Sequence, residues 1–311
     1  MHNRWYKNVL TMTYAASDEI DMSYDVLIEP VKKLKHVPIK PSQKESFGFS
    51  SVIGINNPDL LVHSAGRFLF LSVTNEDKRI NKNRLNRLTA IAEREYAVKQ
   101  GVLVTELSKQ EIKQIRDRAH QQLLTETEPG EEYENIIIDP KLQRIFFSDA
   151  NGTRVKRAVG LLQKIYPTLK VSPFEPGSIE DELTSWLHEE NPTLPDEIEV
   201  QQSAVLKCSD DSRASLSKQN LSSTEIAAMI SANKKVKEVA ITFLNRITFR
   251  VTESLQLKGI LPTETLLETV NDGEPAQTLI EDYEAHWLTQ ASEFTDIFNW
   301  LDRLRNGELL S

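Results

Sequence analysis

Several groups of residues in this sequence have types and spacings that carry chemistry. Asp139-Pro140-Lys141 follows the apolar run Ile136-Ile137-Ile138 and offers a D-x-K spacing, with Glu131, Glu132 and Glu134 just upstream. Clustered carboxylates hold divalent ions in nucleases, and a nearby lysine orients water or phosphate. Pro195-Asp196 with Glu199 is a second such fragment. Asp-Pro between two apolar runs is also how a tight turn is written. We read the first fragment as a turn and Asp210-Asp211 as a loop. The six histidines, at 2, 36, 63, 120, 188 and 286, form no HxxxH. The one cysteine, Cys208, supports neither a zinc pair nor a disulfide. Phosphate loops of the GxxxxGK[ST] and GxGxxG types are missing. The residues therefore give no support for an enzyme, and no cofactor or metal is expected.

Polyanion binding is the other chemistry on offer. Lys218-Gln219-Asn220 stands just before Ser222-Ser223-Thr224-Glu225, a Ser-x-x-Glu capping box ahead of an apolar run. Free N–H groups at a helix start attract anions, so the trio is either a solvated turn or a contact. Net charge is −9, which at first argues against nucleic acid, but the charge is polarised. Residues 261–311 carry eleven acids and two bases, and the rest of the chain is balanced. Within that rest, residues 78–118 hold eleven bases against five acids. A local basic surface of this kind governs binding even on an acidic protein.

These residues need elements to hold them. Residues 5–14 read as a strand, and 21–36 as a helix whose Lys32, Lys33 and Lys35 suit its carbonyl end. Strands are expected at 47–54 and 67–74. Residues 82–99 place Leu85, Leu88, Ile91 and Ala92 on one helical face. Ser108 and Glu111 box a second helix with the stripe Ile112, Ile115, Ala119 and Leu123. Together they read as a basic helical hairpin, about 78–124, inserted between strands. The segment 125–133 (TETEPGEEY) reads as an acidic loop, 135–138 and 144–147 as a hairpin, 152–165 as a helix and 169–174 as a strand. Pro173, Pro176 and Gly177 suggest a boundary, giving domains 1–177 and 178–311. The second half has a helix at 181–187, a strand at 197–207 and the helix opened by Ser222. Alternating strands at 238–244 and 247–254 follow, around Asn245-Arg246. Helices bearing Leu279, Tyr283, Trp287, Phe294, Phe298 and Leu301 close the chain. The fold class is α+β, with mixed sheets, an inserted helical hairpin and a helical C-terminal region. No stretch approaches a membrane span and the start lacks an apolar signal region, so a cytoplasmic protein is expected.

Four motifs, in order, resemble the RdgC family of recombination-associated proteins. WYKNVLTMTY (5–14) is similar to its W-[FY]-K-N opening, and LVHSAGRFLFLSVTNEDKRI (61–80) to a second family segment. LTSWL (183–187) resembles its L-T-x-W-[LV] motif. The stretch from Ser217 to Ile260, beginning SKQNLSSTEI, resembles its K-Q-D-L-[TS]-S-E-E-I block and the hairpin after it. The likeness covers about residues 5–260, and the C-terminal helices match in character only. It implies a nucleoid-associated homodimer that encircles double-stranded DNA as a ring and restrains a RecA-type recombinase, with binding of single-stranded DNA as well left open. It also implies that Lys218 and Gln219 contact DNA. Lys78, Arg79, Lys82, Arg84, Lys113 and Arg116 join them from charge and placement. One departure stands out: Thr125-Glu126-Thr127-Glu128-Pro129-Gly130 replaces the family's Leu-Pro-Arg-Ala-Phe, an Arg-aromatic dimer contact, which is here either remade with Tyr133 or left open, so closure of the ring stays undecided. The alternatives are a metal-dependent exonuclease built on Asp139 and a protein-interaction factor acting on a recombinase through the acidic C-terminal helices.

Overall fold

The computed structural model describes residues 5–16, 20–149, 152–174, 178–188, 194–208, 212–271 and 276–308. Pro176, Gly177, Asp210 and Asp211 lie outside them. In chain order the elements of the first half are β1 (Asn8–Ala16), α1 (Tyr24–Lys33), β2 (Glu45–Ser50), β3 (Val62–Ala65), β4 (Phe68–Asp77), α2 (Lys82–Gln100) and α3 (Lys109–Glu126). Then come β5 (Gly130–Asp139), β6 (Arg144–Phe147), α4 (Gly152–Ile165), β7 (Leu169–Pro173) and α5 (Glu180–Trp186). The second half adds β8 (Ile198–Lys207), β9 (Arg213–Ser217), α6 (Thr224–Ser231), β10 (Lys235–Phe243), β11 (Ile247–Thr252), β12 (Leu257–Pro262), α7 (Glu264–Asn271) and α8 (Leu279–Arg305).

Helices and one large antiparallel sheet make a mixed α and β architecture. The sheet runs β2-β4-β5-β6-β1-β12-β11-β10-β8-β9, with β3 on β4 and β7 on β1. β1 joins the halves: Leu10 lies opposite Phe147 of β6, while Asn8 lies opposite Lys258 of β12.

Burial explains the two kinds of strand in the sequence. In the first half both faces of the sheet are covered, so Phe68–Leu71, Ile136–Ile138 and Ile145–Phe147 are apolar at consecutive positions. Leu69, Leu71, Ile136, Ile138 and Phe147 pack against Leu27 and Val31 of α1 and Leu161 and Leu162 of α4. The alternate residues Phe68, Phe70, Ile137 and Phe146 face the other way, toward Phe294, Phe298 and Leu301 of α8. That second core also receives Val239, Ile241, Phe249, Val251 and Leu257. The second half of the sheet alternates instead, with apolar residues inward and an opposite face that is polar and open. There Ser215, Ser217 and Arg250 are exposed, and Thr248 and Lys258 are half-exposed.

Three sequence expectations are corrected. The acidic segment 125–133 is mostly regular structure: α3 runs to Glu126, and β5 starts at Gly130 opposite Asp77. The hairpin loop has three residues, Leu244, Asn245 and Arg246, where the two residues Asn245-Arg246 were expected, because Phe243 pairs with Ile247; Leu244 and Asn245 both sit at positive φ (48° and 53°) and the Arg246 N–H donates to the Phe243 carbonyl at 2.9 Å. Ser222 does not cap α6; Ser223 holds the cap position without a side-chain bond, and Asn220 Oδ1 instead accepts from the Ser222 N–H at 3.0 Å. Strands β3, β9 and β12 had no clear signal in the sequence.

α2 and α3 form the expected hairpin with small cores of its own, Leu85 with Ala119 and Leu123, and Ala97 with Leu107 and Ile115. Asn81 Oδ1 accepts from the N–H groups of Asn83 and Arg84 to start α2. The Ser108–Glu111 box starts α3 as expected. Ile91 leaves the packed face and is 45% exposed.

Candidate nucleic-acid interface

The basic residues of the hairpin divide by what they touch. Lys78 is buried, and its ammonium donates to the carbonyls of Pro41 (2.8 Å) and Leu124 (2.6 Å). It is a structural group and leaves the candidate surface. Arg79 is exposed but pairs with Asp77 and Glu132, and Arg84 pairs with Glu126 at 2.7 Å. Lys82, Lys113 and Arg116 are exposed and have no ion pair among the described residues. Lys109, Lys113 and Arg116 recur at the spacing that lines one side of a helix, so part of this cluster forms a stripe. The far end of the hairpin is apolar and open, with Val98 81% and Leu103 68% exposed.

Lys218 and Gln219 follow the last residue of β9, where the chain turns. Lys218 sits at φ 54°, a left-handed conformation that non-glycine residues rarely adopt. The Gln219 N–H donates to the Gln202 carbonyl at 3.3 Å, which ties the turn to β8. Both side chains are exposed, and Lys218 has no ion pair among the described residues.

Beside them lies a surface that the sequence reading missed. A cleft of about 370 Å³ on the open sheet face is lined by Lys207, Arg213, Lys237, Glu238, Gln256 and Lys258, among others. Lys207 and Arg213 lie opposite each other across β8 and β9, and Arg250 and Lys258 across β11 and β12. Glu238 receives both of the latter pair, Arg250 Nη1 at 2.9 Å and Lys258 Nζ at 3.0 Å. Lys237 is held by Glu180 and Glu253. Farther along β8, β10 and β11, Gln201 donates to Thr242 Oγ1, which shares a 2.9 Å hydrogen bond with Thr248. Short hydroxyl side chains flanked by cations make a surface that a sugar-phosphate backbone approaches closely. The signal was the alternation in ITFRVT, whose outward positions are Thr248, Arg250 and Thr252.

The Asp139 fragment is a turn. Its carboxylate is fully buried: Oδ1 accepts from the N–H groups of Lys141 (3.1 Å) and Leu142 (3.2 Å), and Oδ2 from Arg67 at 2.8 Å. Of the upstream acids, Glu131 accepts from the Tyr133 hydroxyl at 2.6 Å and Glu132 pairs with Arg79. Tyr133 is 41% exposed. Glu134 is buried beside Asp149, and burial followed by that neighbouring charge pushes its carboxyl up to about 8. Among the described residues no group of three or more His, Cys, Asp or Glu side chains is placed to hold a metal ion. Nor is any described helix long and apolar enough to cross a membrane.

The acidic C-terminal helix is no free arm. α8 buries Phe294, Phe298, Trp300 and Leu301, its Glu293 pairs with Arg246, and its Glu284 contacts His63 at 2.9 Å.

Comparison with known proteins finds relatives along nearly the whole chain. The chain is similar to the recombination-associated protein RdgC of Actinobacillus pleuropneumoniae serotype 3 (strain JL03), 26% identical over 93% of either chain. It is 25% identical to the protein of that name from Proteus mirabilis (strain HI4320), over 98% of this chain and 99% of the relative. A third, from Pseudoalteromonas atlantica, is 21% identical over 93% of each. Residues 4–307 match the family model described as "Putative exonuclease, RdgC". That match runs through the hairpin and both halves of the sheet, and the chain belongs to the RdgC family.

Proposed function

We propose that this chain is a non-enzymatic protein that binds double-stranded DNA through its phosphates, without sequence preference. It acts as a homodimer that encircles the duplex and limits a RecA-type recombinase in the nucleoid. The observation that carries this reading is the open face of β9-β8-β10-β11-β12. Lys207, Arg213, Lys237, Arg250 and Lys258 stand on it with Glu238 and Glu253, short hydroxyls such as Ser215 and Thr248 lie among them, and Lys218 and Gln219 stand at its border. Lys82, Lys113 and Arg116 add a second basic surface on the hairpin. A net charge of −9 does not oppose this, because binding follows the local field. Family membership supports the link to recombination, and the exposed Val98 and Leu103 give the hairpin an apolar end suited to a second copy.

Gel shifts on unrelated duplexes, repeated with single strands, test the reading. Affinity should be similar across sequences and fall steeply with salt as counterions are released. Absence of binding at low salt, or salt-insensitive binding, would refute it. Mass measurement with and without duplex tests the dimer.

The family description favours one alternative, an exonuclease. Its test is labelled DNA with magnesium or manganese, and progressive shortening would establish it. The protein-interaction reading predicts that charge reversal of exposed acids on α7 and α8 abolishes inhibition while DNA binding stays intact.

A further inference from the structure

On the open sheet face one carboxylate serves two cations. Glu238 on β10 offers one oxygen to Arg250 of β11 and the other to Lys258 of β12, and these two cations are cross-strand partners. The three side chains differ in exposure: Glu238 is 12% exposed, Lys258 34% and Arg250 47%. The anion therefore lies at the floor and the cations reach past it toward solvent. Gly259 is part of the arrangement. It sits at φ 61°, a left-handed conformation that glycine adopts without strain, and a Cβ there would make only ordinary contact with Arg250 Nε at 3.5 Å, so the guanidinium lies close over β12. Asn8 Oδ1 accepts from the Gly259 N–H at 3.2 Å, which fixes that backbone.

Two cations side by side on an otherwise uncovered strand pair repel each other unless an anion lies between them. An internal carboxylate removes that repulsion and holds both cations at one place on the strand pair. Arginine and lysine bind phosphate oxygens by the same charge-assisted hydrogen bonds that they make to a carboxylate. The neighbouring Thr252 and Gln256 add polar groups at the same level of the cleft.

We infer that Glu238 is a built-in counter-anion, which holds Arg250 and Lys258 together in the free protein and yields them to a backbone phosphate when nucleic acid binds. This rests on the DNA-binding reading given above and adds a regulatory residue to it. Glu238 lowers affinity and keeps the face from holding anions indiscriminately. Removing its charge leaves both cations fully available, so the variant binds more tightly.

The test is a salt series of duplex-binding measurements on the full chain and on Glu238→Gln, Arg250→Ala and Lys258→Ala, each checked by thermal melting. Glu238→Gln should bind about three- to tenfold more tightly, and its plot of log affinity against log salt should steepen by up to about 0.9, the value of one more neutralised phosphate. Arg250→Ala and Lys258→Ala should weaken binding and flatten the plot. A folded Glu238→Gln that binds as wild type or more weakly overturns the inference, and so do unaltered Arg250→Ala and Lys258→Ala. Should Glu238→Gln fail to fold, the two cation variants decide. Failure of the wild type to bind any duplex refutes the underlying reading. Loss of binding in Lys218→Ala/Gln219→Ala with all three sheet-face variants unchanged refutes this inference alone.

Discussion

The ammonium of Lys78 donates to the carbonyl oxygen of Leu124 at 2.6 Å and so ties the last turn of α3 to the chain leaving β4. The last carbonyls of a helix have no partner within it, and a cation there satisfies one of them and suits the helix dipole. Replacing Lys78 with Met leaves the Leu124 carbonyl buried without this donor and removes the partner of the Pro41 carbonyl at an exposed turn. We expect a loss of about 2–4 kcal/mol in urea denaturation, from two charge-assisted bonds and the buried unpaired acceptor. DNA affinity of the folded fraction should stay at the wild-type value, and a large specific loss would return Lys78 to the contact surface.

Asp139 joins a turn to a buried ion pair, so its removal tests structure and chemistry together. Asn at this position keeps an acceptor for the N–H groups of Lys141 and Leu142 but loses the charge opposite Arg67. Arg67 is partly exposed, so the cost should be about 1–3 kcal/mol, below that of breaking a fully buried pair. Nuclease assays with magnesium should give intact DNA for wild type and Asp139→Asn alike. Cleavage by the wild type that Asp139→Asn abolishes would assign catalysis to this carboxylate.

Periodicity carries burial better than it carries partnership. Runs such as FLFLSV and NIIID show a sheet covered on both faces, and ITFRVT shows one open face, because side-chain direction alternates with period two. The hairpin helices were legible from their caps and stripes. Charge alone could not separate Lys78, sealed between two carbonyls, from Lys113, which is free of ion pairs among the described residues. That distinction depends on strands β2 and β4 bringing Pro41 near, a contact remote in sequence. β12 was missed because Gly259 and Pro262 weaken its strand signal, and with it went the Arg250–Lys258 pair. The Ser222–Glu225 box was misread because Asn220 claims the Ser222 N–H first.

Glu134 gives the fold a pH dependence with a definite sign. Its carboxyl is raised from 4.5 to about 8 by burial and by Asp149, against hydrogen bonds from Ser148 Oγ and the Asp149 N–H. The folded state therefore keeps this proton in a range where the unfolded chain has released it. The stability it contributes is fully present below pH 4.5 and is lost as pH rises toward about 8. Glu134→Gln keeps the acceptor and carries no titratable proton. Melting temperatures of wild type should fall relative to Glu134→Gln between about pH 5 and pH 8. Parallel curves for the two proteins would show that Glu134 does not titrate in this window.

Lys218 separates contact from conformation, because its backbone and its side chain make opposite predictions. At φ 54° a lysine is strained where glycine is not, so Lys218→Gly should stabilise the fold by about 1 kcal/mol. The same change deletes the ammonium and should weaken duplex binding at low salt. Lys218→Ala keeps the strain and loses the charge, so it should weaken binding equally without the gain in stability. Gln219→Ala should lower affinity less, since a neutral side chain releases no counterion, and should leave the salt slope unchanged. A Lys218→Gly protein that melts higher and binds DNA as wild type would make this turn a solvated corner of the sheet. Contact would then belong to the open face and the hairpin.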